Sequence, residues 1–216
     1  MGEQIKLVIL DLDGTVLDTS EFLCQGFEHA IKVYNLPQKT RGELYHAMSV
    51  TKYLPDAYAL LGVVDNLEEI VKTHFDFRSK NLQLVKAFPG VIETLKSMHC
   101  SGIIISALTN RLKHLEETLE IAGIKELIDL LVTKDDITHP KPHPEGVEKI
   151  LSHFSIGKEY ALIVGDTADD IIAGKRAGIK TVGVTYGFGS AEIEKSNPDY
   201  LINSFSELIY CLHALF

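Results

Sequence analysis

Residues 6–15 read KLVILDLDGT, an apolar run that leads directly into two aspartates, a glycine and a threonine. The length and composition of the run predict a strand buried on both faces. Because residues i and i+2 of a strand point to the same side, Asp11 and Asp13 are predicted to face one site at the strand's carboxyl end. Gly14 allows a sharp turn there, and Thr15 offers a hydroxyl and a backbone N–H beside the site. Open α/β sheets bind their ligands at this edge.

Similar apolar runs alternate with helical patterns along most of the chain. Each run is about five residues long, rich in Val, Ile and Leu, and bounded by Gly, Asp or Asn. The predicted strands are Lys6 to Leu10, Ile103 to Leu108, Ile128 to Val132, Tyr160 to Val164 and Thr181 to Thr185, and the predicted helices are Gly90 to His99, Arg111 to Ala122, Pro144 to Phe154 and Ala168 to Ala177. A βαβ series of buried strands predicts an α/β fold with a parallel sheet.

One long segment, from about Thr19 to Lys86, shows only helical patterns. Within it, Asn66 followed by Glu69 predicts a capping box at the start of a helix that runs towards Lys80. About 65 residues are too many for a loop, so the segment predicts a small helical domain inserted into the α/β domain. The predicted domains are an α/β core of residues 1–17 and 87–216 and an α-helical domain of residues 18–86.

A second acidic group follows the predicted strand that ends at Val164, where residues 165–170 read GDTADD. Asp166 and Asp170 are four residues apart and share a face if a helix begins here, although aspartates at a helix start are often only caps. If the strands are neighbours, these carboxylates meet Asp11 and Asp13. Such a cluster repels itself and raises its own pKa values unless a cation is present, and Mg²⁺ suits an all-oxygen ligand set.

Two further polar groups follow predicted strands. Thr109 and Asn110 supply a hydroxyl and an amide suited to phosphate oxygens, although a helix cap is the common role of such a pair. Residues 139–144 read HPKPHP, which places Lys141 between two prolines in an extended, pre-set backbone. This arrangement suits a cation directed into a site, and a stiff surface loop is the alternative.

Other ligand chemistry is not indicated by the sequence. His139 and His143 could suggest zinc, but they lack other ligands at zinc spacing, so no metal site is predicted there. Cys24, Cys100 and Cys211 are far apart and odd in number, which gives neither a zinc site nor a disulfide framework.

The composition limits the classes of partner. The 216 residues are 45% hydrophobic and carry 21 basic and 30 acidic residues, a formal charge of −9. A protein this acidic is not expected to bind nucleic acid, although a local lysine or a metal ion can still hold a small anionic substrate. Apolar stretches stay below the roughly 18 residues of a membrane span, and the first is too short for a signal peptide. We therefore expect a cytoplasmic protein without a membrane partner.

In order and spacing, these motifs resemble those of the haloacid dehalogenase superfamily of phosphotransferases over essentially the whole chain. The resemblance rests on residues 11–15, on Thr109, on Lys141, and on Asp166 with Asp170. A helical cap inserted just after the first motif is typical of the cap-bearing members of this superfamily. The resemblance implies a Rossmann-like parallel sheet with a small α-helical cap domain, and a covalent mechanism.

The same resemblance implies a role for each matched residue. Asp11 would attack phosphorus as the nucleophile and form an aspartyl-phosphate. Asp13 would protonate the leaving oxygen and later activate water. Thr109 and Asn110, beside Thr15, would bind phosphoryl oxygens, and Lys141 would pair with Asp11 and the phosphate. Mg²⁺ would be bound by Asp11, the backbone carbonyl of Asp13, and Asp166. Asp170 would support the ion directly or through water.

Differences within the superfamily narrow the predicted reaction. Dehalogenases lack the second aspartate, phosphonate hydrolases carry alanine in its place, and Asp13 is present here. Mutases such as β-phosphoglucomutase often have valine where Thr15 stands. Residues 182–189, VGVTYGFG, and residues 197–200, NPDY, resemble the phosphoglycolate phosphatase-like group, which also includes pyrophosphatases.

The sequence therefore predicts a Mg²⁺-dependent phosphatase that hydrolyses the phosphomonoester of a small metabolite. The alternatives are a β-phosphoglucomutase-like mutase, an inorganic pyrophosphatase, and an idle member that binds a partner protein through its cap. Lys52 in the predicted cap is the candidate cation for a substrate carboxylate or second phosphate, with an ordinary solvated lysine as the alternative. We expect a monomer or a homodimer with a small phosphorylated metabolite as its partner.

Overall fold

A computed structural model describes residues 4–51, 53–111 and 113–214 of the chain. Among these residues, none of the helices combines the length and the hydrophobicity that a membrane crossing requires. The chain divides into two compact units, Met1–Asp18 with Lys86–Phe216, and Thr19–Val85.

The larger unit contains a parallel sheet. Its strands in the described residues are β1 Leu7–Leu10, β4 Ile104–Thr109, β5 Leu130–Thr133, β6 Ala161–Gly165, β7 Lys180–Val184 and β8 Tyr200–Ile202, and a separate antiparallel pair joins β2 Leu17–Asp18 to β3 Lys86–Ala87. The spatial order β5-β4-β1-β6-β7-β8 is the 3-2-1-4-5-6 order of a Rossmann sheet. The predicted α/β fold with a Rossmann-like parallel sheet is confirmed.

Burial explains why these runs form parallel strands. All residues of β1 and β6 are buried, as expected for strands covered by helices on both faces. The helices of this unit are α5 Val91–Cys100, α6 Leu115–Ile121, α7 Glu145–Phe154, α8 Ala168–Ala177, α9 Ser190–Ile193 and α10 Leu208–Ala214. Val147, Ile150 and Leu151 form the buried face of α7 and join the core with Leu108 and Val132.

The smaller unit is helical, with α1 Ser20–Val33, α2 Arg41–Val50, α3 Leu54–Leu60 and α4 Leu67–Ser79. Its core includes Phe27, Leu44, Tyr58 and Ile70. Helix α4 lies where the sequence predicted it, but the capping box was wrong. Asn66 adopts a left-handed conformation with φ of 54° and makes no side-chain cap bond, so its side chain does not reach the helix amides.

Two other details differ from the sequence prediction. Helix α6 begins at Leu115 instead of Arg111, because His114 is in the left-handed region with φ of 55°. The strands β2 and β3 were not predicted, since two residues are too few to show the alternation of apolar and polar residues that indicates a strand. Helix α8 ends at Gly178, which adopts a left-handed conformation with φ of 81°.

Candidate active site

The candidate site lies at the carboxyl ends of the neighbouring strands β1 and β6. The strand order continues from β1 to β4 on one side and from β6 to β7 on the other, which makes this pair the topological switch point of the sheet. Asp11 follows β1 directly, and Asp166 follows β6 one residue further along the register, since Leu10 lies opposite Val164 and Asp11 is level with Gly165. Carboxylate oxygens of Asp11, Asp166 and Asp170 all lie within 4.8 Å of one another, and all three residues are buried. The strand order therefore brings together three of the four carboxylates that the sequence predicted to cluster, and Asp13 is not among them.

Lys141 neutralises part of this cluster. Its Nζ donates hydrogen bonds to Asp11 Oδ1 at 2.5 Å, to Asp170 Oδ1 at 2.6 Å and to the carbonyl oxygen of Leu108 at 2.9 Å. The side chain is 4% exposed, and these acceptors use all three ammonium protons. Asn110 Nδ2 in turn donates to the carbonyl oxygen of Lys141 at 3.2 Å, which ties the lysine segment to the end of β4.

Without further positive charge, two of the buried carboxylates have raised pKa values. Burial raises the pKa of Asp11 well above its usual value; Lys141 opposes that rise, and the charges of Asp170 and Asp166 add to it. Burial, and then the charge of Asp170, raises the pKa of Asp166 to about 7. Burial alone would lower the pKa of Lys141, but Asp11 and Asp170 raise it above its usual value. One ammonium group does not balance three carboxylates.

The Asp166 carboxylate is oriented by backbone amides that follow β7. Oδ2 accepts hydrogen bonds from the N–H of Phe188 at 2.8 Å and of Gly189 at 3.4 Å, and Oδ1 accepts from Thr15 Oγ1 at 3.4 Å. Gly14 beside it has φ of 86°, and a Cβ there would lie 2.3 Å from Asp166 Oδ2. Glycine is required at this position by both the turn and the close approach.

Asp170 belongs both to the cluster and to the start of α8. Its Oδ2 accepts hydrogen bonds from Thr167 N at 3.1 Å and Thr167 Oγ1 at 2.7 Å, which forms a capping box, while Oδ1 receives Lys141. The sequence left open whether Asp170 is a helix cap or a site residue. Its side chain is both, because one carboxylate oxygen caps the helix and the other binds Lys141.

Asp13 lies outside this carboxylate cluster and pairs with a residue that the sequence analysis missed. Arg111 Nη1 donates to Asp13 Oδ1 at 3.1 Å, with side chains 11% and 29% exposed respectively. The Arg111 backbone N–H donates to Thr109 Oγ1 at 3.1 Å, and Thr109 is buried at the end of β4. The position of Arg111 directly after Thr109 and Asn110 is the sequence feature that could have identified it as a site residue.

The structure thus brings together most of the predicted side chains. Asp11, Thr15, Lys141, Asp166 and Asp170 form one connected network, and Asp13 is linked to Thr109 through Arg111. Lys52 lies outside the described residues, so its role stays a prediction. A buried carboxylate held by a lysine, with a half-exposed carboxylate two residues further along the chain, is equipped for nucleophilic attack followed by proton transfer.

Comparison with known proteins gives one family. The family pattern described as haloacid dehalogenase-like hydrolase matches residues 8–184. A pyrophosphatase PpaX from Oceanobacillus iheyensis is 31% identical over 216 residues, which cover 95% of each chain. A pyrophosphatase PpaX from Bacillus mycoides is also 31% identical, over 98% of this chain and 99% of its own.

A solved structure gives the same picture for the fold. The crystal structure of a predicted phosphoglycolate phosphatase from Haemophilus somnus 129pt superimposes with a TM-score of 0.86 and 26% sequence identity. The match covers 96% of this chain and 98% of the crystallised one.

Proposed function

This chain belongs to the haloacid dehalogenase-like hydrolases, and on that premise we propose that it is a Mg²⁺-dependent phosphatase that reacts through an aspartyl-phosphate on Asp11. The family and the phosphatase class predicted from the sequence are confirmed by the match over residues 8–184 and by the relatives that share most of the chain. The metal ion, the residue roles and the substrate belong to the proposal.

The acidic cluster fits Mg²⁺. Its donors are oxygen atoms, it is buried, and Lys141 leaves it with excess negative charge. Burial first, and the neighbouring carboxylates in addition, raise the pKa values of Asp11 and Asp166. Asp11, Asp166 and the backbone carbonyl of Asp13 would hold the ion, and Asp170, whose oxygens already bind Lys141 and Thr167, would support it through water. When bound, the ion supplies positive charge to the cluster and to the transferring phosphoryl group.

In the first step, a carboxylate oxygen of Asp11 attacks phosphorus. The phosphorus–oxygen bond to the leaving group breaks, and Asp13 gives its proton to the departing oxygen. Lys141, 2.5 Å from Asp11, favours the ionised form of this carboxylate and orients it for attack. Thr109, Asn110 and Thr15 are the nearby polar groups that we assign to the phosphoryl oxygens.

In the second step, Asp13 takes a proton from water, and the water oxygen attacks the phosphorus of the aspartyl-phosphate. The bond between Asp11 and phosphorus breaks, orthophosphate leaves, and both carboxyl groups return to their starting states. Asp13 suits this exchange with solvent because its side chain is 29% exposed, whereas the Asp11 side chain is 11% exposed.

The leaving group is proposed to be anionic, and inorganic pyrophosphate is the favoured substrate. Arg111, paired with Asp13 at 3.1 Å, puts a guanidinium next to the group that protonates the leaving oxygen. An orthophosphate leaving group carries the complementary charge. The relatives named pyrophosphatase support this choice. Phosphoglycolate, whose leaving group carries a carboxylate, is the second candidate, supported by the name of the structural neighbour.

A substrate panel with an Arg111 variant tests the proposal. We expect phosphate release with Mg²⁺ to be fastest, by kcat/KM, on pyrophosphate, ahead of phosphoglycolate, β-glucose 1-phosphate, nucleoside monophosphates and p-nitrophenyl phosphate. Arg111→Ala is expected to lower kcat/KM for pyrophosphate about tenfold more than for p-nitrophenyl phosphate, whose leaving group lacks a second phosphate. Arg111→Lys should restore part of that ratio.

The contrary outcomes are distinct. If Arg111→Ala lowered kcat/KM equally for pyrophosphate and for p-nitrophenyl phosphate, Arg111 would have no role in recognising the leaving group. Conversion of β-glucose 1-phosphate into glucose 6-phosphate without phosphate release would make the protein a mutase. Phosphate release that EDTA leaves unchanged would exclude the proposed Mg²⁺ dependence.

A further inference from the structure

The segment that delivers Lys141 carries a second group of potential metal ligands. His139 and His143 lie two residues on either side of Lys141, and their ring centroids are 4.6 Å apart. Glu145, the first residue of α7, lies against both rings, with its Oε2 at 2.8 Å from His139 Nδ1 and 4.0 Å from His143 Nδ1. Ligand atoms of the three residues all lie within 4.8 Å of one another.

The carboxylate of this group is held in place by the backbone. Glu145 Oε1 accepts a hydrogen bond from the N–H of Thr138 at 2.7 Å, and Oε2 accepts one from the N–H of His139 at 2.9 Å. The two imidazoles are more open, since the side chains of His139 and His143 are 61% and 47% exposed. The group therefore combines a carboxylate fixed by the backbone with two exposed imidazoles that solvent ions can reach. His139 Nδ1 contacts Glu145 Oε2, and His143 Nδ1 accepts a hydrogen bond from the N–H of Glu145 at 3.3 Å.

We propose that His139, His143 and Glu145 form a binding site for a divalent transition-metal ion, with Zn²⁺ as the best match. Two imidazoles and one carboxylate are a ligand set that binds Zn²⁺ and not a Mg²⁺-type set of oxygens. Tetrahedral zinc places its ligand atoms about 3.4 Å apart. Ring rotations that lengthen the 2.8 Å separation of His139 Nδ1 from Glu145 Oε2 and shorten the 4.0 Å separation of His143 Nδ1 from the same oxygen would therefore fit the ion. A water molecule completes the fourth position.

Spacing along the sequence hid this site. Two histidines alone did not reach a zinc ligand set, and Glu145, two residues after the second histidine, was not recognised as a third ligand. The third ligand becomes visible only because the segment folds back, so that the Glu145 carboxylate bonds to the backbone of Thr138 and His139.

The site has a structural consequence for Lys141. A metal ion bound by His139 and His143 links the two sides of the short stretch from which Lys141 reaches Asp11. Arg176 Nη1, which donates to the carbonyl oxygen of Pro142 at 3.1 Å, and Asn110, bonded to the Lys141 carbonyl, already hold this stretch at two points. The bound ion adds a third restraint.

Calorimetric titration of the full chain with Zn²⁺ tests the proposal. Excess Mg²⁺ and a reductant are present, so that the acidic cluster is occupied and the thiols stay reduced. We expect one equivalent to bind, with the affinity reduced at least about tenfold by His143→Gln and by His139→Gln. His153→Gln, at an exposed histidine on α7, is the matched control and should leave binding unchanged.

Co²⁺ provides an independent readout of the ligands. We expect visible absorption bands of a tetrahedral or five-coordinate site, lost in His143→Gln and retained in His153→Gln. Zn²⁺ binding that survives both His139→Gln and His143→Gln would overturn the proposal. A thiolate charge-transfer band with Co²⁺, or absence of saturable binding, would overturn it as well.

Discussion

Asp11→Asn is expected to lower kcat for phosphate release at least about 10⁴-fold, because an amide cannot serve as the nucleophile that forms the phosphoryl-enzyme. The substitution keeps the shape of the side chain and removes a carboxylate whose pKa burial has raised, so folding should not suffer. Phosphate release under saturating substrate and Mg²⁺, together with thermal unfolding of the same preparations, measures both effects.

Asp135→Asn is the matched control, since Asp135 is exposed and lies outside the carboxylate cluster. It should retain wild-type kcat. A folded Asp11→Asn protein that keeps more than about a tenth of the wild-type rate would contradict the assignment of Asp11 as the nucleophile.

Lys141→Met is expected to be the most destabilising of the site substitutions. It leaves Asp11 and Asp170 buried without the ammonium group that bonds to both, and loss of one partner of a buried ion pair costs about 3 kcal/mol. Removing Lys141 raises the pKa of Asp11 and of Asp166 further, because its charge lowers both. The folded state then binds more protons than the unfolded chain, so its stability falls as pH rises. The deficit should be largest at about pH 8 and shrink towards about pH 5.5 as the acids take up protons.

Urea unfolding in EDTA at several pH values measures that deficit. Lys149→Met serves as the control, because Lys149 makes an exposed ion pair with Asp136 at 3.9 Å, and it should cost less than about 1 kcal/mol at every pH. Mg²⁺ should restore part of the stability of Lys141→Met without restoring kcat. A deficit that does not depend on pH would show that Lys141 acts through packing instead of charge.

The sequence was sufficient to predict five strands of the sheet and three residues of the acidic cluster. Runs of Val, Ile and Leu bounded by Asp, Gly and Asn located five strands of the sheet, because strands buried on both faces need continuous apolar runs. Asp11 and Asp166 were then expected to lie close together, since they follow neighbouring strands of the sheet. The pairing of β2 with β3 was not predictable from two residues each.

Contacts that depend on turns were less accessible to sequence reasoning. The i, i+2 rule placed Asp13 beside Asp11, but β1 ends at Leu10, and beyond the strand Asp13 pairs with Arg111. The amides of Phe188 and Gly189 reach Asp166 only through the course of the chain after β7. Glu145 likewise meets the two histidines through a fold-back that no spacing rule describes.

The central claim, covalent catalysis by Asp11, is tested most directly by trapping the phosphoryl-enzyme. Asp13→Asn should still react with p-nitrophenyl phosphate, whose leaving group needs no proton, but should hydrolyse the intermediate slowly because the water-activating group is lost. Acid quench, proteolysis and mass spectrometry should then find one phosphoryl group on the peptide that contains Asp11, and none in the Asp11→Asn, Asp13→Asn double variant. A phosphoryl group on a different residue, or steady turnover by Asp13→Asn with an unmodified Asp11 peptide, would contradict the account.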